Sequence, residues 1–470
     1  MSTTTIIKSI RDIMRKDTGV DGDAQRISQM VWMLFMKIFA DKEEHWKMSI
    51  DSYQSPIPAD LRWENWATSN SLLNDDDLIE FINLKLFPTL KKIDSASSEQ
   101  AKIVNSVFED TYNYMKNGTL FRQVVNEIDK IDFNDSKESH VFNDIYESIL
   151  KELQSAGSSG EYYTPRAITQ FMVEMINPKL GESILDPACG TGGFLTCSID
   201  YLRLNNNFDN REILQESILG VEKKPLPHLL CTTNLMLHGF DLPQIHRDNL
   251  LSKPFNNWKD DDLVNVVLSN PPFGGSEEDG TDNNFPPEYR TKETADLFLI
   301  LIVKLLKRDG RAAVVLPDGF LYGEGVRTRI KEELLSQCNL HTIVRLPQGV
   351  FNPYTAIKTN LLFFEKGTST KEVWYFEHPY PENQKSYNRK RPISIEEFDL
   401  EKNWWYSRTE TDYAWKVSIE DIKKRNYNLD ISSPYFSESD EKVTSAEIMQ
   451  RLEKSLEKSQ QLLSSLKLEL

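Results

Sequence analysis

From residue 184 to residue 367, short apolar runs alternate with stretches of helical length. The apolar runs, among them "SILGVE", "VNVVLSNPPF", "RAAVVLP" and "HTIVRLP", have the length and the β-branched content of buried strands. Helical patterns such as "TADLFLILIVKLLKRDG" (294–310) lie between most of them. This alternation predicts a parallel, doubly wound α/β sheet, whose ligands would bind at the carboxyl ends of the strands.

The segments on either side of this sheet read as helical. Apolar residues between Ile27 and Phe39 recur at helical spacing, and the Gly/Ser-rich "LQSAGSSGEYYTP" follows this part as a break. Near the end, a capping-box pattern at Thr444 and Glu447 precedes leucines at three-four spacing. This tail helix, from about residue 445, would dock on a partner helix or fold back on its own domain. The predicted domains are an N-terminal helical domain over 1–155, an α/β domain over 156–400 and a C-terminal region over 401–470.

The composition of the chain limits where the protein can act in the cell and which partners it can bind. The longest apolar run, Met30–Ala40, contains Lys37 and is about half the length that spans a bilayer. The chain starts without the pattern of a secretory signal, and its four cysteines lack zinc-site spacing. We therefore expect a cytoplasmic protein with no membrane contact and no metal. The net charge of −17 would repel DNA or RNA, so either the substrate is not nucleic acid or a basic partner supplies most of the contact.

A glycine-rich turn follows the first predicted strand in "ILDPACGTGGF". Asp186 ends the strand, and Gly190, Gly192 and Gly193 allow the backbone to turn sharply and to approach a ligand closely. The spacing matches neither the dinucleotide fingerprint nor the triphosphate-binding loop, because no lysine follows the glycines. A strand, loop and helix of this kind suit a nucleotide-like cofactor. A tight turn that binds no ligand is the alternative.

Two more acids end the next predicted strands. Glu222 in "SILGVEKK" ends the second strand, where an acid commonly accepts hydrogen bonds from ribose hydroxyls. Asp248 in "HRDNLL" ends the third strand. Either acid alone is more often a solvated loop residue. Together with Asp186, they place three acids at successive strand ends around one glycine turn, which favours a cofactor site.

The stretch "VVLSNPPFGG" (266–275) ends a buried strand on two prolines and an aromatic ring. Because proline has no N–H, the peptide units after Asn270 and Pro271 present carbonyl oxygens without a neighbouring donor. With the side-chain carbonyl of Asn270 they form a rigid set of acceptors for an –NH₂ group, and Phe273 could stack on the ring that bears it. Adenine N6 fits this description. An N-P-P strand terminator with an incidental aromatic is the alternative.

"DPACGTGGF" together with "SNPPFG" closely resembles the modification (methyltransferase) subunits of type I restriction–modification systems. "GVDGDAQRISQMVW" resembles the N-terminal helical domain of that family, "GEYYTP" (160–165) its cofactor-binding motif and "GVFNPYTAIKTNLLFFEKG" (349–367) its late strand motif. These motifs span about residues 10–370 in the order of the family. The resemblance implies a Rossmann-like class I methyltransferase sheet and the cofactor S-adenosylmethionine. It also implies methylation of adenine N6 in double-stranded DNA.

The resemblance also implies a role for each site residue. Thr164 and the glycine turn would hold the methionine part of the cofactor, Glu222 its ribose and Asp248 its adenine. The target adenine would be flipped out of the duplex, and Phe351 or Tyr354 would stack on its second face or pack in the sheet. The predicted cofactor-binding residues are Glu161, Tyr162, Tyr163, Thr164, Pro165, Asp186, Pro187, Ala188, Gly190, Thr191, Gly192, Gly193, Phe194, Glu222 and Asp248. The predicted catalytic residues are Asn270, Pro271, Pro272 and Phe273.

The partners implied by the resemblance would account for the acidic charge of this chain. A separate specificity subunit would read the DNA sequence, with two modification subunits bound to one specificity subunit, and a restriction subunit could join them. The tail from about residue 445 is the candidate docking element. Two alternatives stay open: a methyltransferase of the same fold that acts on rRNA or on a protein glutamine, and a non-catalytic scaffold.

Overall fold

The protein is seen in a computed structural model. It describes residues 3–68, 73–133, 163–206, 211–274, 277–352 and 354–435 except 383, 385 and 389, together with the single positions 149 and 449. The predicted site residues Glu161 and Tyr162 lie outside the described residues. Apart from Met449, so does the predicted tail helix.

The N-terminal part is helical, as predicted. In α2 every apolar position of the predicted pattern is buried, and Trp32 is buried with them. A π-helical turn, Ile82–Leu86, joins α4 to α5. The helices are α1 (Thr3–Met14), α2 (Gly22–Ser49), α3 (Trp63–Trp66), α4 (Asp75–Phe81), α5 (Phe87–Leu90), α6 (Glu99–Phe108) and α7 (Gly118–Asp129).

Within the described residues, nine strands form one sheet in the order β3-β2-β1-β4-β5-β7-β6-β8-β9. The first five strands of this order are parallel, as the sequence predicted. The strands are β1 (Ile184–Asp186), β2 (Ile218–Val221), β3 (Gln244–His246), β4 (Val264–Ser269), β5 (Leu306–Pro317), β6 (Cys338–Arg345), β7 (Thr359–Lys366), β8 (Glu372–Glu377) and β9 (Ala414–Ser418).

The expectation of an entirely parallel sheet is wrong for the second half. Strand β7 lies between β5 and β6 and is antiparallel to both, and β9 is antiparallel to β8. The segment between Arg345 and Thr359 contains no helix among its described residues, and a parallel strand would need a crossover there. The predicted helix 294–310 ends at Leu305, where β5 begins.

Helices cover both faces of the sheet, so the apolar strands are buried on both sides. One face packs against α8 and α9, and the other packs against α12 and α14. Helix α11 also carries part of the N-terminal core, since Leu229, Leu230 and Met236 pack against the helical part. These helices are α8 (Arg166–Ile176), α9 (Gly193–Asn205), α10 (Arg211–Ser217), α11 (Pro225–Leu237), α12 (Thr294–Leu305), α13 (Asp318–Tyr322), α14 (Val326–Gln337), α15 (Asp399–Trp405) and α16 (Ile419–Lys424).

The predicted domain limits remain predictions, and the sheet reaches past one of them because β9 lies beyond residue 400. Among the helices that the structure describes, none combines the length and the apolar content that a membrane span requires.

Candidate active site

A cleft of about 260 Å³ opens at the carboxyl ends of β1, β2, β3 and β4. This is the edge of a doubly wound sheet at which ligands bind. Most of the predicted site residues line this cleft. They are Thr164, Asp186, Pro187, Ala188, Gly190, Thr191, Gly193, Phe194, Glu222, Asp248, Asn270 and Pro272.

Asp186 lies at the floor of the cleft, where β1 ends. Its Oδ1 accepts hydrogen bonds from the Ser269 hydroxyl at 2.9 Å and from the Ala188 N–H at 3.2 Å. Burial raises the pKa of Asp186 to about 7, and the nearby carboxylate of Glu222 adds to the increase. The two hydrogen bonds offset part of the cost of burying a carboxylate.

Glu222 ties the glycine turn to the end of β2. Its Oε2 accepts the N–H of Gly190 at 3.0 Å, and its Oε1 accepts the N–H of Lys224 at 2.7 Å. Burial raises the pKa of Glu222, while both backbone donors lower it. One carboxylate thus fixes two loops of the cleft. Asp248 lies on the next strand end, is exposed, and accepts the N–H of Asn249 at 2.7 Å.

Gly192 turns the chain into helix α9 with the positive φ of +83° that favours glycine. A Cβ at this position would lie 2.8 Å from the Cys231 Sγ on helix α11. The turn therefore packs directly on the helix behind it. No side chain among the described residues caps the start of α9, and the first N–H groups of this helix point toward its N-terminal end, which lies at the cleft.

Asn270 is held across the cleft by a residue far away in the chain. Its Nδ2 donates to the Thr164 Oγ1 at 3.0 Å. Its Oδ1 is buried and has no hydrogen-bond partner among the described residues. Because an unsatisfied buried acceptor is costly, such an atom indicates a missing donor. Because the Asn270 Nδ2 donates to Thr164, the side-chain atom left without a hydrogen bond is the acceptor Oδ1.

The remaining predicted site residues do not line the cleft but lie close to it. Pro271 is buried, and Pro165 precedes the first turn of α8. Tyr163 packs in the N-terminal core. Phe273 is half-buried and meets the Phe351 ring edge-on, with centroids 5.5 Å apart. Phe351 is 2% exposed and packs in the core of the sheet. Tyr354 is half-buried.

Two family models match most of the chain. The HsdM N-terminal domain matches residues 3–128, and the N-6 DNA Methylase family matches residues 137–443. The methylase subunit of the type I restriction enzyme EcoEI from Escherichia coli is 56% identical over 451 residues, which cover 93% of this chain and 92% of that one. The chain belongs to the methylase subunits of type I restriction enzymes. The resemblance drawn from its motifs is thereby confirmed.

Solved structures of the same kind share the fold of this methylase subunit. A chain described as a modification subunit of a type I restriction enzyme from Vibrio vulnificus YJ016 is 43% identical, with a TM-score of 0.82 over 93% of this chain and 98% of that one. A chain solved in work on complex assembly of the type I R-M system is 33% identical, with a TM-score of 0.84 over 98% and 96%. The predicted methyltransferase fold is confirmed.

The cleft of the methylase subunit also contains residues that the motifs did not reveal. Glu277 accepts hydrogen bonds from the Lys223 Nζ and from the Asn249 Nδ2, both at 3.1 Å. These contacts join the loop after the N-P-P-F motif to the ends of β2 and β3. The residues missed are Cys189, Lys223, Lys224, Asn249, Leu250, Gly274, Glu277, Thr294 and Phe298. Adjacency to Glu222 and Asp248 could have indicated four of them, Lys223, Lys224, Asn249 and Leu250.

The raised pKa of Asp186 makes the stability of this methylase subunit depend on pH. An unfolded aspartate titrates near pH 3.9, so between about pH 4 and pH 7 the folded state binds more protons than the unfolded state. The free energy of unfolding must therefore fall as pH rises through this window. From pH 5.5 to pH 8, we expect Asp186 to contribute a loss of about 2 kcal/mol.

Urea denaturation of the wild type and Asp186→Asn at these two pH values measures this contribution. The asparagine keeps an acceptor for Ser269 and Ala188 but cannot ionise. Every other titrating group is common to both proteins, so the difference between their pH dependences isolates Asp186. Equal pH dependences would show that Asp186 is ionised throughout.

Proposed function

We propose that this methylase subunit transfers the methyl group of S-adenosylmethionine to N6 of an adenine flipped out of double-stranded DNA. The observation that carries the proposal is the buried Asn270 Oδ1, which lacks a donor among the described residues at the end of β4. The exocyclic amine of adenine has two protons to donate. Membership in the N-6 DNA Methylase family supports the same target atom.

The residues of the cleft fit this cofactor. The buried carboxylate of Glu222 lies at the tip of β2, where this class of fold accepts ribose hydroxyls. The cofactor is a cation at sulfur, and the wall carries three acids, Asp186, Glu222 and Asp248. The uncapped start of α9 suits the carboxylate of the methionine part. When bound, S-adenosylmethionine supplies an activated methyl group.

The contribution of the chain to the reaction is to hold and orient the amine. Asn270 Oδ1 and the adjacent backbone carbonyl would accept the two N6 protons, which draws the nitrogen lone pair out of the ring and toward the methyl group. Thr164 keeps the amide in this orientation through its contact with Nδ2. Transfer of the methyl group would leave the cofactor as a neutral thioether and N6 with a positive charge, and N6 would then lose one proton to water. Positioning alone can supply much of the acceleration.

Phe273 would stack on the flipped base, with the buried Phe351 fixing its ring from the side. Flipping costs a few kcal/mol, which the stacking and the hydrogen bonds of the pocket must offset. The chain would act in the cytoplasm with a specificity subunit that selects the site, two modification subunits to one specificity subunit. A restriction subunit joins them in complexes that cut DNA. The net charge of −17 favours a separate DNA-reading subunit, because another chain must supply much of the cationic surface that contacts DNA.

The test is a transfer assay with the purified complex of this chain and its specificity subunit. The complex is incubated with methyl-labelled S-adenosylmethionine and double-stranded DNA, and the DNA is digested to nucleosides for mass spectrometry. We expect the label in N6-methyldeoxyadenosine. Label found only in ribosomal RNA or in protein glutamine, when these are offered in parallel, would overturn the proposal.

A further inference from the structure

A short turn beside the candidate active site carries two exposed cations. Asn388 and Arg391 exchange backbone hydrogen bonds of 3.2 and 3.0 Å, and the Asn388 Oδ1 accepts the N–H of Lys390 at 3.0 Å. The side chains of Lys390 and Arg391 are both exposed. We call Asn388, Lys390 and Arg391 the basic turn.

The basic turn is anchored next to the loop that contains Phe351. Tyr387, which directly precedes it, is 1% exposed and packs in the same core as Phe351. The Tyr387 hydroxyl donates to Glu397, and its backbone carbonyl accepts the Asn352 Nδ2 at 3.0 Å. The position of the basic turn relative to the Phe351 loop is therefore fixed by buried contacts.

Phe351 lies between the Tyr387 contacts and the pocket predicted to hold the target base. Its ring contacts Phe273 edge-on, and Phe273 belongs to the same N-P-P-F motif as Asn270. A chain of contacts, from Tyr387 through Asn352 and the adjacent Phe351 to Phe273, thus links the basic turn to the N-P-P-F motif. A duplex that delivers a base to Phe273 would bring its backbone close to the basic turn.

The charges of the basic turn lack partners within the described chain. Neither Lys390 nor Arg391 makes an ion pair with any residue that the structure describes. Two basic residues near the cofactor cleft are paired by contrast, Lys223 with Glu277 and Arg247 with Glu109. Two unneutralised cations on a chain of net charge −17 favour an anionic partner.

We infer that Lys390 and Arg391 bind backbone phosphates of the DNA beside the flipped adenine. This inference rests on the proposed function. Phosphates, rather than base edges, are the natural ligands, because long exposed cations on a surface turn neutralise charge without reading sequence. The basic turn would give this acidic subunit its own contact with DNA, in addition to the contact made by the specificity subunit.

The test measures how the affinity for DNA depends on salt. The complex with the specificity subunit is prepared with the wild-type chain and with Lys390→Gln/Arg391→Gln, and Kd for a duplex is measured between 50 and 300 mM salt, roughly the range over which phosphate contacts are lost. We expect the slope of log Kd against log salt to decrease by about 1 to 2 in magnitude. The variant should bind about tenfold more weakly at the lowest salt and approach the wild type at the highest.

Lys371→Gln is the matched control. Lys371 is also exposed, but it precedes β8 and so lies at the edge of the sheet opposite the cleft. An unchanged slope in this control, with a reduced slope in the double variant, supports the inference. An unchanged slope in the double variant overturns it.

Two further measurements distinguish a failure of this inference from a failure of the proposed function. Loss of the specificity subunit from the double variant on size-exclusion chromatography would assign the basic turn to a protein contact and overturn the inference. Failure of the wild-type complex to methylate DNA would instead contradict the proposed function. Methylation by the wild type with an unchanged slope in the double variant contradicts only the phosphate contact.

Discussion

Asn270→Ala is expected to lower kcat for methyl transfer by about a hundredfold to a thousandfold, with the Kd for S-adenosylmethionine changed by less than about twofold. The alanine removes the buried Oδ1, which lacks a donor among the described residues, together with the Nδ2 that contacts Thr164. The loss should fall on kcat because the acceptor acts on the target amine as its nitrogen becomes tetrahedral. Cofactor binding is measured by calorimetry and transfer by a single-turnover assay.

Asn270→Asp is the matched variant. A carboxylate keeps an acceptor oxygen at this position, and the Thr164 hydroxyl can donate to it in place of accepting from Nδ2. We expect Asn270→Asp to retain at least about tenfold more activity than Asn270→Ala. Equal activities of the alanine variant and the wild type would mean that Oδ1 does not bind the amine. A large loss of cofactor affinity in the alanine variant would place Asn270 in the cofactor site.

Gly192→Ala is expected to weaken binding of S-adenosylmethionine by about tenfold to a hundredfold. The new Cβ would lie 2.8 Å from the Cys231 Sγ, closer than packed atoms approach, so the turn or helix α11 must move. Gly192 joins the turn that lines the cleft to helix α9, and a shift there displaces the N–H of Gly190 from Glu222. Calorimetric titration with the cofactor measures the loss.

Gly181→Ala controls for the backbone strain of this substitution. Gly181 has a φ of +86°, close to the +83° of Gly192, but a Cβ there would meet no atom within 4 Å. Both variants should lose about 1 kcal/mol of stability from the positive φ, and only Gly192→Ala should lose cofactor affinity. Adding Cys231→Ala to Gly192→Ala removes the sulfur and should restore part of the affinity. A Gly181→Ala variant that binds the cofactor equally weakly would contradict the packing argument.

The motifs predicted the centre of the site because they are local. Asp186 ends β1, Glu222 and Asn270 directly follow β2 and β4, and the parallel arrangement of these strands brings their ends to one edge. Strand periodicity and turn residues were enough to find them. The helical pattern around Trp32 was equally clear, because the apolar residues between Ile27 and Phe39 recur at helical spacing and are buried in α2.

Contacts between residues that are far apart in the chain could not be predicted from local motifs and periodicity. The contact of Thr164 with Asn270 joins residues 106 positions apart, and no periodic pattern links them. Glu277 comes from a polar loop and reaches the cleft only because Lys223 and Asn249 bind its carboxylate. The direction of β7 also escaped prediction, because an apolar strand has the same pattern whether it runs parallel or antiparallel.

The proposed function depends on Asn270 Oδ1 binding the amine of an adenine in DNA while that amine is methylated. Sequencing that detects N6-methyladenine, applied to genomic DNA from the native host with the wild-type chain and with Asn270→Ala, tests it most directly. We expect N6-methyladenine to disappear from one two-part sequence motif in the variant and to persist elsewhere. Unchanged methylation at every motif would show that DNA methylation does not need Asn270 and would assign the acceptor to another substrate.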